Sequence, residues 1–166
     1  MSEIDLKDLI LVPDTDPILA ERMPLYEDFG DKSDEITRVL IDAMFHFDGV
    51  GLAANQVGLR IRAFAAVIGG EPMVLFNPTI SEVSQNMSKS NEGCLSFPNL
   101  ALQIMRPEEC NIDFQNPQGE GQSLKLKGLD ARIVLHELDH LNGIVFTSKV
   151  SKMRLDMQKK KLRKKR

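Results

Sequence analysis

Apolar residues recur at helical spacing in the segment SDEITRVLIDAMFHFDG, which follows a stretch containing three prolines. They occupy positions i, i+3, i+4, i+7, i+8 and i+11, which are Ile36, Val39, Leu40, Ala43, Met44 and Phe47. This spacing predicts an amphipathic helix with one buried face. Ser33 is the expected N-cap, and Gly49 is expected to end the helix.

Two pairs of strands are predicted further along the chain. The segment RAFAAVIGGEPMVLFNP contains two apolar runs on either side of Gly69 and Gly70, which favours a hairpin. A second pair flanks a turn at 116–121 and has apolar positions at Cys110, Ile112, Phe114, Leu124 and Leu126. Cys110 on such a strand is interpreted as a small buried hydrophobic residue.

A second helix is predicted to begin near Leu129 or Asp130, with Gly143 just beyond its end. One face of this helix would carry Leu129, Ile133, His136, Glu137 and His140. Strands between one early and one late helix indicate the α+β fold class.

Composition restricts the class of protein. A chain of 166 residues with 42% hydrophobic and 27% charged residues is long enough for one domain with a sizeable core. No apolar run approaches the roughly 20 residues of a membrane span, so no membrane partner is expected. The acidic start MSEIDLKDLILVPDTD lacks the basic region of a signal peptide, and a cytoplasmic location is therefore predicted.

Charge is unevenly distributed along the chain. Residues 149–166 carry ten Lys and Arg against one Asp, a net charge of +9, whereas the other residues carry −12. We therefore expect a catalytic domain over 1–148 and a basic C-terminal tail or helix over 149–166. Such a tail either contacts a polyanion or is a solvated terminus.

The motif H-E-x-x-H at 136–140 carries the clearest chemistry. On a helix, His136 and His140 point the same way and can bind one metal ion, with Glu137 beside it. A divalent metal lowers the pKa of bound water to about 7, and a neighbouring carboxylate can then move its proton. The alternative is an amphipathic helix with two hydrogen-bonded histidines.

The third metal ligand must lie upstream of this motif. Phe146 stands where one class of metalloprotease has a third histidine, and no Glu follows Glu137. Candidates are His46, a carboxylate and the two thiols. We favour Cys94, because Gly93 precedes it and breaks the apolar alternation. A Cys-His-His set with an open position is typical of a catalytic site.

A third segment, GVGLAANQVG, contains small residues that allow close approach of a ligand to the backbone. Within it, the Gln56 side chain can donate a hydrogen bond to a developing oxyanion. Taken alone, the segment is also typical of a tightly packed turn.

Together, GVGLAANQ at 49–56, EGCLS at 92–96 and HELDH at 136–140 resemble the three motifs of peptide deformylase, without substitution. The resemblance covers roughly residues 34–147. It implies a fold in which antiparallel β-sheets pack around a central helix carrying H-E-x-x-H, with a further N-terminal helix. It also implies removal of the N-formyl group from the initiator methionine of nascent peptides, with release of formate.

The resemblance also assigns roles to individual residues. Metal binding falls to Cys94, His136 and His140, and general acid/base catalysis falls to Glu137. The Gln56 side chain and the Leu95 backbone N–H would form the oxyanion hole. The family favours Fe²⁺, and Zn²⁺, Ni²⁺ or Co²⁺ can replace it.

Substrate contacts are implied less directly. The Gly51 backbone is expected to pair with the peptide as an added strand. Val50, Leu129 and Ile133 are the expected lining of an apolar methionine pocket. Many family members have a substrate-binding arginine where this chain has Asn99, Leu100 and Ala101.

The support of the metal site also differs in part from the family. Leu135 replaces a frequent Gln before the first histidine of the motif. Arg106 matches a recurrent family arginine, and we expect it to pair with Asp139 behind the metal ligands.

The resemblance gives the tail a partner, the bacterial ribosome, which the basic C-terminal segment would contact through phosphates. We expect a monomer in the cytoplasm of a bacterium or a virus-infected bacterial cell, with an organelle as the other compartment. Two alternatives remain: an H-E-x-x-H metallo-endopeptidase, and an inactive relative that binds RNA or the ribosome.

Overall fold

A computed structural model of the protein describes residues 9–165. Its helices and strands confirm the α+β class. The strands are β1 (Gly51–Ala53), β2 (Ala63–Ile68), β3 (Glu71–Val83), β4 (Met87–Cys94), β5 (Phe97–Pro107), β6 (Glu109–Gln115) and β7 (Gly121–Lys127). The α-helices are α1 (Asp31–His46), α2 (Gly128–Leu141) and α3 (Lys152–Arg163).

Five strands form one antiparallel sheet in the order β1-β2-β3-β6-β7. The predicted hairpin around Gly69 and Gly70 joins β2 to β3, and both glycines have positive φ angles. The predicted second pair is β6 and β7, with Cys110 buried on β6. Both strand pairs predicted from the sequence are therefore confirmed.

Strands β4 and β5 form a separate two-stranded sheet, called here the Cys94 hairpin. The sequence analysis did not predict it. The β4 sequence MSKSNEGC is almost entirely polar and mostly exposed, so it lacks the apolar alternation by which strands are recognised. Of the two strands in this hairpin, β5 alone alternates between buried and exposed positions; its buried residues are Leu100, Leu102, Ile104 and Arg106. Cys94 lies at the end of β4, where the pairing register shifts.

Helix α1 begins earlier than expected, because Gly30 rather than Ser33 is its N-cap. Ser33 is the third helical residue, and its buried hydroxyl accepts a hydrogen bond from the Gly30 N–H at 2.8 Å. At the other end, Asp48 rather than Gly49 takes the left-handed conformation, with φ of 58°. A Cβ atom on Gly49 would lie 2.7 Å from Leu95 Cδ1, so a side chain there would displace the end of that leucine.

The two long helices pack on opposite faces of the five-stranded sheet. Strand β2 lies between them: Phe64 and Ala66 pack in the core that contains the apolar face of α2, whereas Ala63 and Ala65 pack in the core that contains α1. Because β2 is buried on both faces, it reads as a continuous apolar run. The helix with H-E-x-x-H is thus embedded in one core, as the resemblance implied.

The C-terminal end of α2 is held by donors from three separate segments. The Met23 N–H and Arg62 Nη1 donate to the Leu141 carbonyl at 2.8 and 3.2 Å, and Asn55 Nδ2 donates to the His140 carbonyl at 2.9 Å. These bonds satisfy carbonyls that a helix end leaves unpaired. Gly143 follows the helix with φ of 73°, as predicted.

Helix α3 begins at the Ser151 N-cap and lies against β5. Its Leu155 packs on a small cluster that includes Leu102, Ile104 and Phe146. Much of the predicted basic tail is therefore helical. Among residues 9–165, no helix is both long and apolar enough to span a membrane.

Candidate active site

Cys94, His136 and His140 converge at one point between the Cys94 hairpin and α2. Their potential ligand atoms all lie within 4.8 Å of one another, and Cys94 Sγ is 3.3 Å from His140 Nε2. The two histidines are one helical turn apart, and their ring centroids are 5.1 Å apart. One thiolate and two imidazoles form a donor set that suits a divalent transition metal.

The other candidate ligands lie elsewhere. His46 is exposed on α1, where its ring packs against Phe47. Cys110 is buried in the five-stranded sheet, and burial raises the pKa of its thiol to about 11. Phe146, which replaces the third histidine of the protease motif, is buried with its ring 5.7 Å from that of His136. It packs with β5 residues behind His136 and offers no ligand atom.

Glu92 orients His136. Its Oε1 lies 2.9 Å from His136 Nδ1, which fixes the ring and leaves Nε2 as the atom that would bind a metal in place of a proton. Burial opposes ionisation of Glu92, but hydrogen bonds from His136 and Arg106 outweigh it and lower its pKa to about 2. The sequence analysis gave Glu92 no role, although it stands in the same motif as Cys94.

The electrostatics at this point favour a cation. Burial alone would lower the pKa of His136, but Cys94, Glu92 and Glu137 together raise it to about 10. His140 behaves oppositely: burial and the positive charges of His136 and Arg106 lower its pKa to about 3. It is therefore neutral near pH 7, the form in which imidazole binds metals. The residues present thus fit a bound divalent cation.

Glu137 is buried beside this cluster. Its Oε2 has no hydrogen-bond partner among the described residues, although it is inaccessible to solvent. Burial raises the pKa of Glu137 to about 7, against the lowering effect of His136 and Arg106. A carboxyl group that titrates near neutrality is suited to both accepting and donating a proton.

The orientation of the Gln56 amide follows from its hydrogen bonds. The Ala53 N–H donates to Oε1 at 2.9 Å, which identifies the other amide atom as the nitrogen. That Nε2 donates to Ser96 Oγ at 3.0 Å and lies 3.6 Å from Cys94 Sγ. An N–H donor is thereby held next to the metal-binding cluster, where an oxyanion could develop.

A cavity of about 730 Å³ opens onto these residues. Val50, Leu129 and Ile133 all line it, as do Gln56, Leu95 and Glu137. Val50 and Leu129 are exposed, whereas Ile133 is buried. Asn99, Leu100 and Ala101 also line the cavity, so the region that lacks the family arginine faces the same space.

A network of buried ion pairs lies behind the cluster. The expected pair of Arg106 and Asp139 is present, with Nη1 2.9 Å from Oδ2. Arg106 also binds both oxygens of Glu92, at 2.7 and 2.9 Å, and Lys149 Nζ lies 3.2 Å from Asp139 Oδ2. Arg132 is a further member that the sequence analysis missed, although it lies one helical turn before His136.

The chain was compared with known protein families and with curated relatives. The model of the polypeptide deformylase family matches residues 9–156. A peptide deformylase from Thermotoga sp. is 37% identical over 147 residues, which cover 89% of this chain and 90% of the relative. A Brucella suis peptide deformylase is 36% identical over 97% of this chain and 94% of its own length. A chloroplastic peptide deformylase 1B from rice is 40% identical over 82% of this chain and 52% of its own length.

Solved structures agree with these matches. The crystal structure of the Thermotoga maritima peptide deformylase superposes with a TM-score of 0.84 at 36% identity, covering 86% of this chain and 97% of the other. The structure of the Synechococcus elongatus enzyme with actinonin gives 0.87 at 32% identity, covering 92% and 85%. The family match decides against the metallo-endopeptidase alternative. The chain therefore belongs to the polypeptide deformylase family, metal-dependent enzymes that remove the N-formyl group from nascent peptides.

Proposed function

We propose that Cys94, His136 and His140 hold the catalytic metal of this deformylase. The observation that carries the proposal is the convergence of one thiol and two imidazoles within 4.8 Å, in a pocket where carboxylates favour a cation. When bound, a divalent metal supplies the Lewis acidity that makes water nucleophilic near neutral pH. Fe²⁺ is the proposed ion, and Zn²⁺, Ni²⁺ and Co²⁺ accept the same donors.

Glu137 moves the proton in this proposal. Its pKa of about 7 lets it accept a proton from the attacking water and pass that proton to the departing amine. The buried and unpartnered Oε2 is free to make the required contact, because no described protein group occupies it.

Gln56 and the Leu95 backbone N–H stabilise the negative charge on the formyl oxygen. The hydrogen bond from Ala53 fixes the Gln56 amide with its Nε2 towards Cys94, so this donor is oriented before the reaction. Leu95 directly follows Cys94 on the same turn between β4 and β5. The Leu95 N–H is therefore positioned by the same segment that positions the proposed metal ligand Cys94.

The methionine side chain occupies the apolar part of the cavity, against Val50, Leu129 and Ile133. The peptide that follows it lies along β1, which contains Gly51. This strand is at the edge of the five-stranded sheet, where Gly51 would pair with an added strand, whereas the Ala53 N–H already donates to Gln56. Position and edge geometry support this binding mode.

A comparison of two cysteine variants tests the metal site. Anaerobically purified protein should contain about one divalent metal per chain and release formate from formyl-Met-Ala-Ser. The Cys94→Ala variant should lose both metal and activity, whereas Cys110→Ala should keep both because Cys110 lies in the sheet core. Equal metal content in the Cys94→Ala variant would reject the assignment.

A second comparison tests Glu137. The Glu137→Gln variant should retain the metal but lose formate release, since the amide cannot carry the proton. Amino-terminally blocked peptides without a formyl group serve as the control, and their internal bonds should remain intact with every variant.

Residues 149–166 form the basic segment that we propose as a ribosome-docking element, in addition to the catalytic domain at 1–148. It carries a net charge of +9. Within it, the residues of α3 (Lys152–Arg163) are exposed or half-buried. Binding through phosphates requires a steep loss of affinity with salt. Co-sedimentation of the full chain and of 1–151 with ribosomes, at low and high salt, tests this. Unchanged binding after truncation would reject it.

We also propose that the protein acts as a monomer. Its bacterial relatives support the further proposal that it works in a bacterial cytoplasm. Sedimentation equilibrium of the metal-loaded chain tests the first point. Fractionation of cells that express the protein at its native level tests the second. The chloroplastic relative makes an organelle the other compartment to examine.

A further inference from the structure

We infer that Arg132 is a positioning residue of the metal site, which sets the distance between the Cys94 hairpin and the two histidines of α2. The inference rests on the proposed metal ligands. It concerns a side chain that would affect metal affinity without contacting the metal.

The metal ligands come from two parts of the fold that share no strand pairing. Cys94 lies on β4, which pairs with β5 alone, whereas His136 and His140 lie on α2 against the five-stranded sheet. A two-stranded hairpin is only marginally stable by itself. Side-chain contacts between the hairpin and α2 therefore contribute to the position of Cys94 relative to the histidines.

Arg132 makes four such contacts from one guanidinium. Nη1 donates to Glu92 Oε2 at 2.5 Å and to the Ile104 carbonyl at 3.0 Å. Nη2 donates to the carbonyl and the hydroxyl of Ser88, at 2.9 and 3.0 Å. The acceptors lie on β4 and β5, and the side chain is only 9% exposed. One residue of α2 thus binds both strands of the Cys94 hairpin.

The charge arrangement supports the same role. Arg132 and Arg106 share the Glu92 carboxylate, which also receives His136 Nδ1. Arg106 holds Glu92 from within the hairpin, since both residues lie on it, and reaches α2 through Asp139. Arg132 holds the same carboxylate from α2. Its loss would leave Glu92, and through it the Cys94 hairpin, tied to α2 by fewer bonds.

A merely structural arginine provides the comparison. Arg62 is also buried and also binds α2, through the Leu141 carbonyl, but its second acceptor is the Pro78 carbonyl on β3. It therefore supports the end of α2 without contacting the Cys94 hairpin. Removal of either arginine should lower stability, but only Arg132 should affect the metal.

The test measures metal affinity rather than activity. Co²⁺ affinity is determined by competition with a chelator for wild type, Arg132→Met and Arg62→Met, and the thiolate-to-Co²⁺ absorption band is recorded for each. Outer contacts that orient metal ligands typically contribute 10- to 100-fold to affinity. We expect a loss of this size, with a shifted or weakened band, for Arg132→Met, and less than a threefold change for Arg62→Met.

Affinity within threefold of wild type in Arg132→Met, with an unaltered band, would overturn the inference. If Arg132→Met does not fold, Arg132→Lys replaces it, because lysine keeps the charge but cannot span Glu92, Ile104 and Ser88 together. That variant should have at least fivefold lower affinity for Co²⁺, and wild-type affinity in it would equally overturn the inference. Failure of wild type to bind Co²⁺ through a thiolate would instead reject the proposed metal site.

Discussion

The Glu137 carboxylate occupies the space that any side chain at position 51 would need. A Cβ atom placed on Gly51 would lie 2.4 Å from Glu137 Oε1 and 2.9 Å from its Cγ. The requirement for glycine at position 51 is thus explained by Glu137, because the carboxylate lies directly against the β1 backbone at this position.

A Gly51→Ala substitution should therefore displace Glu137. We expect a fall in kcat/KM of about 100-fold, the order of loss that a displacement of about 1 Å in a reacting group produces. Metal content should stay near one per chain. Gly121→Ala on β7 is the control, because a Cβ there meets no atom within 4 Å. Activity of Gly51→Ala within threefold of wild type would contradict the steric argument.

Replacement of Gln56 by leucine should remove an oxyanion donor while keeping the volume of the side chain. Loss of such a donor costs about 2.7–4 kcal/mol of transition-state stabilisation, or a 100- to 1,000-fold fall in kcat. KM should change little. Ser96→Ala, which removes one acceptor of Gln56 Nε2 and leaves the amide in place, is the control and should retain most activity.

Cys110 should make stability sensitive to alkaline pH. Its thiol pKa is raised by burial from 9.0 to about 11, so between pH 9 and 11 the unfolded chain loses this proton and the folded protein keeps it. Unfolding is therefore favoured as pH rises through this range, by about 1 kcal/mol at pH 10.

Urea unfolding of metal-free wild type and Cys110→Ala at pH 8 and pH 10 measures this effect. The fall in unfolding free energy between the two pH values should be smaller in the variant. Identical falls would show that Cys110 ionises equally in both states.

Gly143→Ala should destabilise the protein strongly. The residue has φ of 73°, and a Cβ atom would lie 2.6 Å from the Ala20 carbonyl oxygen and 2.8 Å from its carbon. Left-handed strain alone costs about 1–2 kcal/mol, and the backbone contact adds to it. We expect a loss of about 2–4 kcal/mol in thermal or urea unfolding.

Gly69→Ala separates the two effects in Gly143→Ala. Gly69 also has a positive φ, of 60°, but its added Cβ meets nothing within 4 Å. It should show the conformational cost alone. Equal destabilisation in both variants would mean that the Ala20 segment moves aside freely.

The sequence predicted those features that local pattern controls. The spacing of His136 and His140 requires only helical geometry, and the strands on both sides of Gly69 show plain apolar runs. The preference for Cys94 over Cys110 as a candidate ligand also rested on local pattern, because Cys110 stands in an alternating strand and Cys94 beside a glycine.

Features that depend on tertiary contact were missed or misplaced. Strand β4 is polar and is ordered by its pairing with β5, so its own sequence carries no periodic apolar signal. Ser33 is a good N-cap residue by type, yet burial against Pro117 moves it inside the helix, where its hydroxyl donates to the Pro117 carbonyl. Arginine is usually exposed, so the sequence predicts Arg132 at the surface; only the tertiary fold brings Glu92 and Ser88 into contact with it.

The edge position of β1 has a consequence for the breadth of substrates. A strand edge offers amide and carbonyl groups, which every peptide matches irrespective of its side chains. With this mode of binding, selectivity would come from the formylated methionine in the cavity, whereas the rest of the nascent chain would be gripped by its backbone. This mode of binding would let one enzyme act at the first residue of nascent peptides of different sequence.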